Sequence, residues 1–374
     1  MMQNNKLIGL VITNLAGSGA EKVVLNLFNM FEKFGHSIYI ILLEDIISYD
    51  LSDNEKCKII SLTTNRKYHK LFSFIGDKRL HYLLEKKLSI IEKQENKNFD
   101  LILSNLPASD RVLYYSTRKN IYFCIHTSYL QEIEEFKSRG NDSRANKKYK
   151  LYKRIYKNKK LVIVANKIKE DLDSLNIGYE SVTRIYNPFD FNEIRKKGDE
   201  KIEEIEEDYI LSASAFRPVK RYDILLDAYK KSAIELKLFL LCSPIKELIE
   251  MIKDRGLEKK VIILGFNKNP YPIIKRAKFL ILSSEREGLP TVLIESLILG
   301  TPVVSTNCIS GPSEILTGEL SKYLAKVNDS DDLSIKMNQM MEHNIGIKDE
   351  YISKFSEENI INQYLSLINN SSLS

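Results

Sequence analysis

Short apolar runs recur along almost the whole chain, separated by amphipathic stretches. Leu7–Thr13, Ser37–Leu43, Leu101–Ser104, Ile121–Ile125 and Leu161–Ala165 are continuous and mostly aliphatic rather than alternating. Such runs predict strands covered on both faces, as in a parallel sheet. Between them the spacing is helical. From about Glu21, residues Val23, Val24, Leu27, Phe28, Phe31 and Phe34 fall on one side, with Gly35 placed as a C-cap. The series restarts after Asn187-Pro188 with Tyr209–Ala213, Leu236–Leu241, Val261–Leu264, Phe279–Leu282 and Pro302–Ser305. Two successive βα series predict an α/β protein of two doubly wound domains, with a cleft between them as the default ligand site.

The expected boundaries are 1–187, 188–352 and a final helical segment, 353–374, that can pack back on the first domain. Residues 195–208 are charged and hold little to bury, so they read as a solvated linker. At 374 residues, 43% apolar and 28% charged, the chain can bury two full cores, which excludes disordered and collagen-like classes. Cys57, Cys124, Cys242 and Cys308 lack metal-like spacing and read as small thiols of a reducing compartment. Leu7–Ile12 is too short for a signal peptide, and no run reaches the roughly 18 residues of a membrane span. These features suggest a cytoplasmic protein.

The net charge of +6 is unevenly placed: residues 1–190 hold 31 Lys and Arg against 22 Asp and Glu. Within that half, residues 144–160 hold nine basic residues and no acidic one, interleaved with Tyr149, Leu151, Tyr152, Ile155 and Tyr156. A solvated basic helix is one reading. The other is a helix at an anionic membrane surface, with Lys147, Lys148, Lys153, Arg154 and Lys157 toward lipid phosphates and rings at headgroup level. No recognition motif accompanies the stripe, so nucleic acid is not the expected partner.

The sharpest local signal is "FLILSSEREGLPTVLIESLIL" at 279–299. A strand ends at Ser283-Ser284, an acidic loop follows, and Gly288, Leu289 and Pro290 lead into a helix. Proline is tolerated at a first helical position, where the N–H has no intrahelical partner. The free amides of that turn and the helix dipole form an anion site. Glu287 and Glu295 then flank any phosphate bound there, and carboxylates accept paired hydrogen bonds from vicinal sugar hydroxyls. The alternative is an acidic turn that merely stabilises its own helix.

Glu287 and Glu295, with seven residues between them inside "EGLPTVLIES", resemble the two-glutamate signature of the retaining glycosyltransferase family 4, of GT-B fold. "GSGAEKVVLNL" at 17–27, "IYNPFD" at 185–190, "KRYDILLDAY" at 220–229, "LGFNKNPYPIIKRA" at 264–277 and "GTPVVSTNCISGPSEIL" at 300–316 are similar to the family in order and spacing. The resemblance implies two Rossmann-like domains facing across a cleft. It implies that Glu287 binds donor-sugar hydroxyls, Glu295 the nucleotide ribose, and Lys220 the diphosphate charge. Amides around Gly288, Leu289, Pro290, Thr291 and Val292 would hold the diphosphate, backbone near Phe266 and Asn267 would meet the base, and Gly17–Gly19 would complete the phosphate side. His126, just after Ile121–Ile125, would reach the donor sugar; its neutral ring can accept a hydroxyl hydrogen bond.

Two positions depart from the family. Ser214 and Ala215 stand where it has Gly-Arg, leaving Arg217 as the candidate replacement, and "CSPIKE" at 242–247 replaces a glycine-rich turn. Asp329-Ser330-Asp331 spells a metal-type motif but precedes an amphipathic segment, so it reads as a helix cap. No metal or other cofactor is expected; the nucleotide-sugar, a UDP-sugar first, is a substrate. The resemblance thus implies a hexosyl- or N-acetylhexosaminyl-transferase acting on a lipid-linked glycan in O-antigen, lipooligosaccharide or capsule synthesis. It would be peripheral at the inner face of the cytoplasmic membrane. The alternative is a relative with little or no activity that binds a glycan or a partner protein.

Overall fold

The computed structural model describes residues 5–17, 19–51, 56, 58–63, 74–202, 207–309, 311–343 and 345–371. The readings of Cys57 and of the Ser18 amide lie outside these. The chain divides into two compact units, residues 1–188 with 357–374, and residues 189–356.

Among the described residues the first unit has seven strands: β1 (Leu7–Ile12), β2 (Ser37–Leu42), β3 (Ile59–Ser61), β4 (Leu101–Asn105), β5 (Ile121–Ile125), β6 (Lys160–Ile163) and β7 (Ser181–Arg184). They lie in the order 3-2-1-4-5-6-7, every pairing parallel. β1, β4 and β5 are buried along their whole length. Helix α1 (Gly19–Lys33) crosses from β1 to β2 and buries Val24, Leu27, Phe28 and Phe31. Helices α2 (Phe74–Glu95), α3 (Pro107–Leu113), α4 (Tyr129–Ser138), α5 (Asp142–Ile155) and α6 (Asn166–Ser174) complete the crossovers.

The second unit repeats the scheme. Strands β8 (Tyr209–Ala213), β9 (Lys237–Leu241), β10 (Val261–Ile263), β11 (Leu280–Leu282), β12 (Val303–Thr306) and β13 (Leu324–Ala325) lie in the order 10-9-8-11-12-13, again all parallel. Its helices are α7 (Phe191–Gly198), α8 (Tyr222–Lys231), α9 (Lys246–Asp254), α10 (Tyr271–Arg276), α11 (Thr291–Ile298), α12 (Pro312–Ile315), α13 (Ser330–Glu342) and α14 (Asp349–Ile352). In both sheets the order reverses beside the first strand, between β1 and β4 and between β8 and β11. Loops that leave the carboxyl ends of those strands are where open α/β sheets gather ligands.

The last helix, α15 (Glu357–Ser371), belongs to the first unit. Tyr364 packs edge-on against Phe31, the Tyr122 hydroxyl donates to the Leu367 carbonyl at 3.1 Å, and Lys33 pairs with Glu357 at 2.6 Å.

Two expectations need correction. The supposed linker at 195–208 begins as helix: α7 runs to Gly198, with Ile194 and Gly198 buried. A Cβ at Gly198 would lie 2.5 Å from Leu299 Cδ2, so the helix packs flush on its neighbour. The basic helix α5 does not offer its tyrosines outward either. Tyr152 and Tyr156 are fully buried and Tyr149 is half-buried. Tyr152 stacks on Tyr129 at 3.9 Å, and the Tyr129 and Tyr156 hydroxyls bond at 2.7 Å. Tyr156 then donates to buried Asp110 at 2.5 Å, which also accepts from Ser104 at 2.5 Å. Burial pushes the Asp110 carboxyl up to about 8. The rings serve the core because i, i+3 and i+4 spacing puts one helix face inward.

Candidate active site

The second unit brings Lys220 and Glu287 together at its switch point. Beyond β8 the chain makes a short 3-10 turn, Pro218–Lys220, and enters α8 through Arg221 at φ +49°. This turn is stitched to the end of β11. The Glu285 amide donates to the Val219 carbonyl at 2.8 Å, and the Ser283 hydroxyl to the Lys220 carbonyl at 2.7 Å. Lys220 Nζ therefore stands 2.6 Å from Glu287 Oε1, and the Ser284 hydroxyl donates to the same oxygen at 2.5 Å. Both side chains are largely shielded, so solvent weakens the pair less than on an open surface.

Gly288 and Leu289 follow, and α11 opens without a side-chain cap. Pro290 is the N-cap and Thr291 the first helical residue, one position later than the sequence suggested. Proline fits either place because its missing N–H has no partner there. The amides of Thr291 and Val292 precede the first intrahelical partner, so they remain donors for an anion. A second loop braces this turn. Gly311 sits at φ +93°, and a Cβ there would lie 2.6 Å from the Gly288 carbonyl oxygen and 2.4 Å from Pro290 Cδ. Only glycine allows that approach. Cys308, in the same loop, is buried; its thiol is pushed up to about 12 by burial and by the charge of Glu287.

Glu295 lies one helical turn beyond Thr291, and Tyr271 of α10 donates to its Oε1 at 3.3 Å. Burial and that carboxylate hold the phenol well above its ordinary range. Phe266 is 84% exposed beside Gly265 at φ +82°, and Asn267 accepts from the Asn269 amide. Arg217 is exposed and lines a groove with Phe216, Glu247 and Glu285. Asp329 caps α13, accepting from the Asp331 and Asp332 amides. Among the described residues, no three metal-binding side chains gather.

In the first unit, Gly17 sits at φ +111° and its amide donates to the Glu21 carboxylate; Gly19 opens α1. His126 follows β5, with Nε2 at 2.9 Å from Asn105 Oδ1 at the end of β4. Burial pushes the imidazole down to about 4. Sequence reading missed Ser284, Tyr271, Gly311 and Asn105. Each acts on a site residue from another element or from a loop whose fold the sequence alone does not fix.

Two doubly wound sheets in this order, the second carrying a carboxylate-flanked, amide-rich turn, define the GT-B class of sugar-transferring proteins. Anabaena HepE, solved with UDP and glucose, matches with a TM-score of 0.66 at 16% identity over 98% of each chain. The lipopolysaccharide outer core galactosyltransferase WaaB matches with 0.68 at 17%, over 98% of this chain and 99% of that one. The chain belongs to the group 1, family 4 glycosyltransferases: residues 17–193 match Glycosyltransferase Family 4 and residues 193–359 match Glycosyl transferases group 1. It is 27% identical, over 90% of both chains, to the N-acetylgalactosamine-N,N'-diacetylbacillosaminyl-diphospho-undecaprenol 4-alpha-N-acetylgalactosaminyltransferase of Campylobacter jejuni. It is 24% identical over 184 residues, about half of each chain, to the lipopolysaccharide 1,6-galactosyltransferase of Salmonella typhimurium.

Proposed function

We propose that this glycosyltransferase moves a hexose or N-acetylhexosamine, with retained configuration, from a UDP-sugar to a hydroxyl of a lipid-linked glycan during surface-polysaccharide synthesis. The observation that carries this is the Lys220–Glu287 pair beside the free amides of Thr291 and Val292. Positive charge and free amides suit a diphosphate, and the two carboxylates suit the sugar and the ribose. The bond from the anomeric carbon to the diphosphate breaks as the acceptor oxygen bonds on the same face. The acceptor proton passes to the departing phosphate. The protein's task is then positioning and leaving-group charge stabilisation. Exposed Phe266 offers a face on which a base can stack. The Campylobacter relative's name specifies an undecaprenol-linked acceptor, and HepE was solved with UDP; both support this reading.

Hydrolysis of UDP-, GDP- and dTDP-sugars without acceptor tests the reaction. Absence of turnover with all three classes would favour a non-catalytic glycan-binding relative, a reading that Ser214 and Ala215 also suggest. Titration separates the two carboxylates. Glu295→Ala should weaken binding of free UDP, whereas Glu287→Ala should spare UDP and damage transfer. Equal loss of UDP binding in both would mean the roles are misassigned.

Membrane docking is proposed through charge alone, since the buried rings cannot insert. Lys147, Lys153, Arg154 and Lys157 are exposed on or just after α5, whereas Lys148 pairs with Glu132 at 2.8 Å. No helix of the described residues is long and apolar enough to cross a membrane. At about 1 kcal/mol per basic residue, changing these four to Gln should weaken partition onto anionic vesicles roughly a thousandfold. Salt should mimic the change, because exposed charges are screened within about 10 Å at 0.1 M. Unchanged sedimentation with vesicles would end the membrane role.

A further inference from the structure

One ring nitrogen of His126 has a partner and the other, buried, has none among the described residues. The partner, Asn105, ends β4 and is fully buried; His126 directly follows the adjacent β5, where Asn105 is registered with Cys124. The orientation of the Asn105 amide follows from its neighbours. Its nitrogen lies 3.1 Å from the Leu103 carbonyl and 3.4 Å from the Val11 carbonyl, and only an NH2 group can satisfy two carbonyls. The oxygen therefore faces His126. An amide oxygen can only accept, so the hydrogen of that 2.9 Å bond must sit on Nε2. In a neutral ring the lone pair is then on Nδ1, which is buried and has no partner among the described residues.

The segment carrying Asn105 is held under strain. Leu106, the next residue, sits at φ +74°, ψ 147° before Pro107, a region that residues with a side chain seldom adopt. Such outliers persist where the surroundings over-determine them, and this one fixes where β4 stops. Burial alone, with no charged neighbour, sets the ring's titration, and the carboxyls of the helices on this unit bond to other groups. Asp110 on α3 accepts from Ser104 and Tyr156, and Asp171 on α6 accepts from Ser128 and pairs with Lys167 at 3.2 Å. Neither bonds the imidazole.

We infer that Asn105 is a positioning residue for His126. It locks the ring as the Nε2–H tautomer and so presents the Nδ1 lone pair as a hydrogen-bond acceptor for a ligand hydroxyl. A carboxylate in its place would also accept from Nε2–H, but would favour the imidazolium and cost the ring its acceptor. An amide keeps the ring neutral. The inference rests on the proposed reading of His126 as a sugar-hydroxyl ligand, and the two can fail separately.

Nitrogen-15 NMR of histidine-labelled full-length protein reads the tautomer directly. The wild type is expected to show protonated Nε2 and bare Nδ1 from pH 5.5 to 8. An Nδ1–H tautomer, or an imidazolium at neutral pH, would overturn the role of Asn105 without any variant. In Asn105→Asp the His126 midpoint should rise by roughly one to three units. Transfer, measured with the donor that the hydrolysis screen returns, should then fall relative to wild type by about tenfold per pH unit below that midpoint. It should recover above it. A merely structural defect would depress the rate equally at every pH. If the tautomer is as inferred and the midpoint rises, yet transfer ignores it, the sugar-ligand reading of His126 fails while Asn105's hold on the ring stands.

Discussion

Lys220→Ala is expected to lower kcat/KM for the nucleotide-sugar by roughly 10- to 100-fold. The figure is the value of one charge-assisted hydrogen bond to a phosphate, about 1.5–3 kcal/mol. The ammonium now lies 2.6 Å from Glu287, so it is shared between that carboxylate and the diphosphate proposed to bind beside it. Removing it takes a cation from both. Ser284 still donates to Glu287, which limits the cost of leaving that carboxylate half-shielded. Lys220→Met keeps the apolar stem and isolates the charge. Comparing kcat/KM, Kd for UDP and Tm across both variants decides the matter. A variant that loses Tm but keeps kcat/KM within twofold would make the lysine a structural partner of Glu287 only.

Asp110→Ala is expected to destabilise the first unit by about 2–5 kcal/mol. The carboxyl accepts from Ser104 and Tyr156 in a site sealed from water, and each orphaned buried hydroxyl costs about 1–3 kcal/mol. The same group makes a signed pH prediction. Burial raises its folded value to about 8, above 3.8 for the free side chain. The folded state thus holds a proton that the unfolded chain releases. Stability from this group is fullest below about pH 4, declines as pH rises, and levels off past pH 8. Asp110→Asn cannot titrate. Urea unfolding at pH 5 and pH 8 should show a larger fall on alkalinisation in wild type than in this variant. Parallel falls would mean that Asp110 does not carry the effect.

Much of the fold was legible because β1, β4, β5, β8 and β9 are covered on both sides and so are written as unbroken apolar runs. Strands at or near the edges were not. β7 is Ser-Val-Thr-Arg with both ends exposed, and β13 is two residues long; neither needs an apolar run. Helix α7 was hidden by its charge, although Ile194 and Gly198, four apart, carried the signal. In the candidate site, Glu287 and Glu295 could be proposed as a pair from sequence because they share one local motif. Tyr271 and Asn105 could not, since they meet Glu295 and His126 only after strands distant in sequence lie side by side. The stripe at 144–160 misled because composition shows charge but not which tyrosines face inward.

The place of α15 has a consequence for synthesis. The first unit's strands all leave the ribosome before residue 189, yet the helix that covers Phe31 and Tyr122 comes after the entire second unit. At about 5–20 residues per second the apolar strip waits on the order of ten to thirty seconds for its cover. A chain cut short after residue 356 keeps every strand of both sheets but leaves that strip bare.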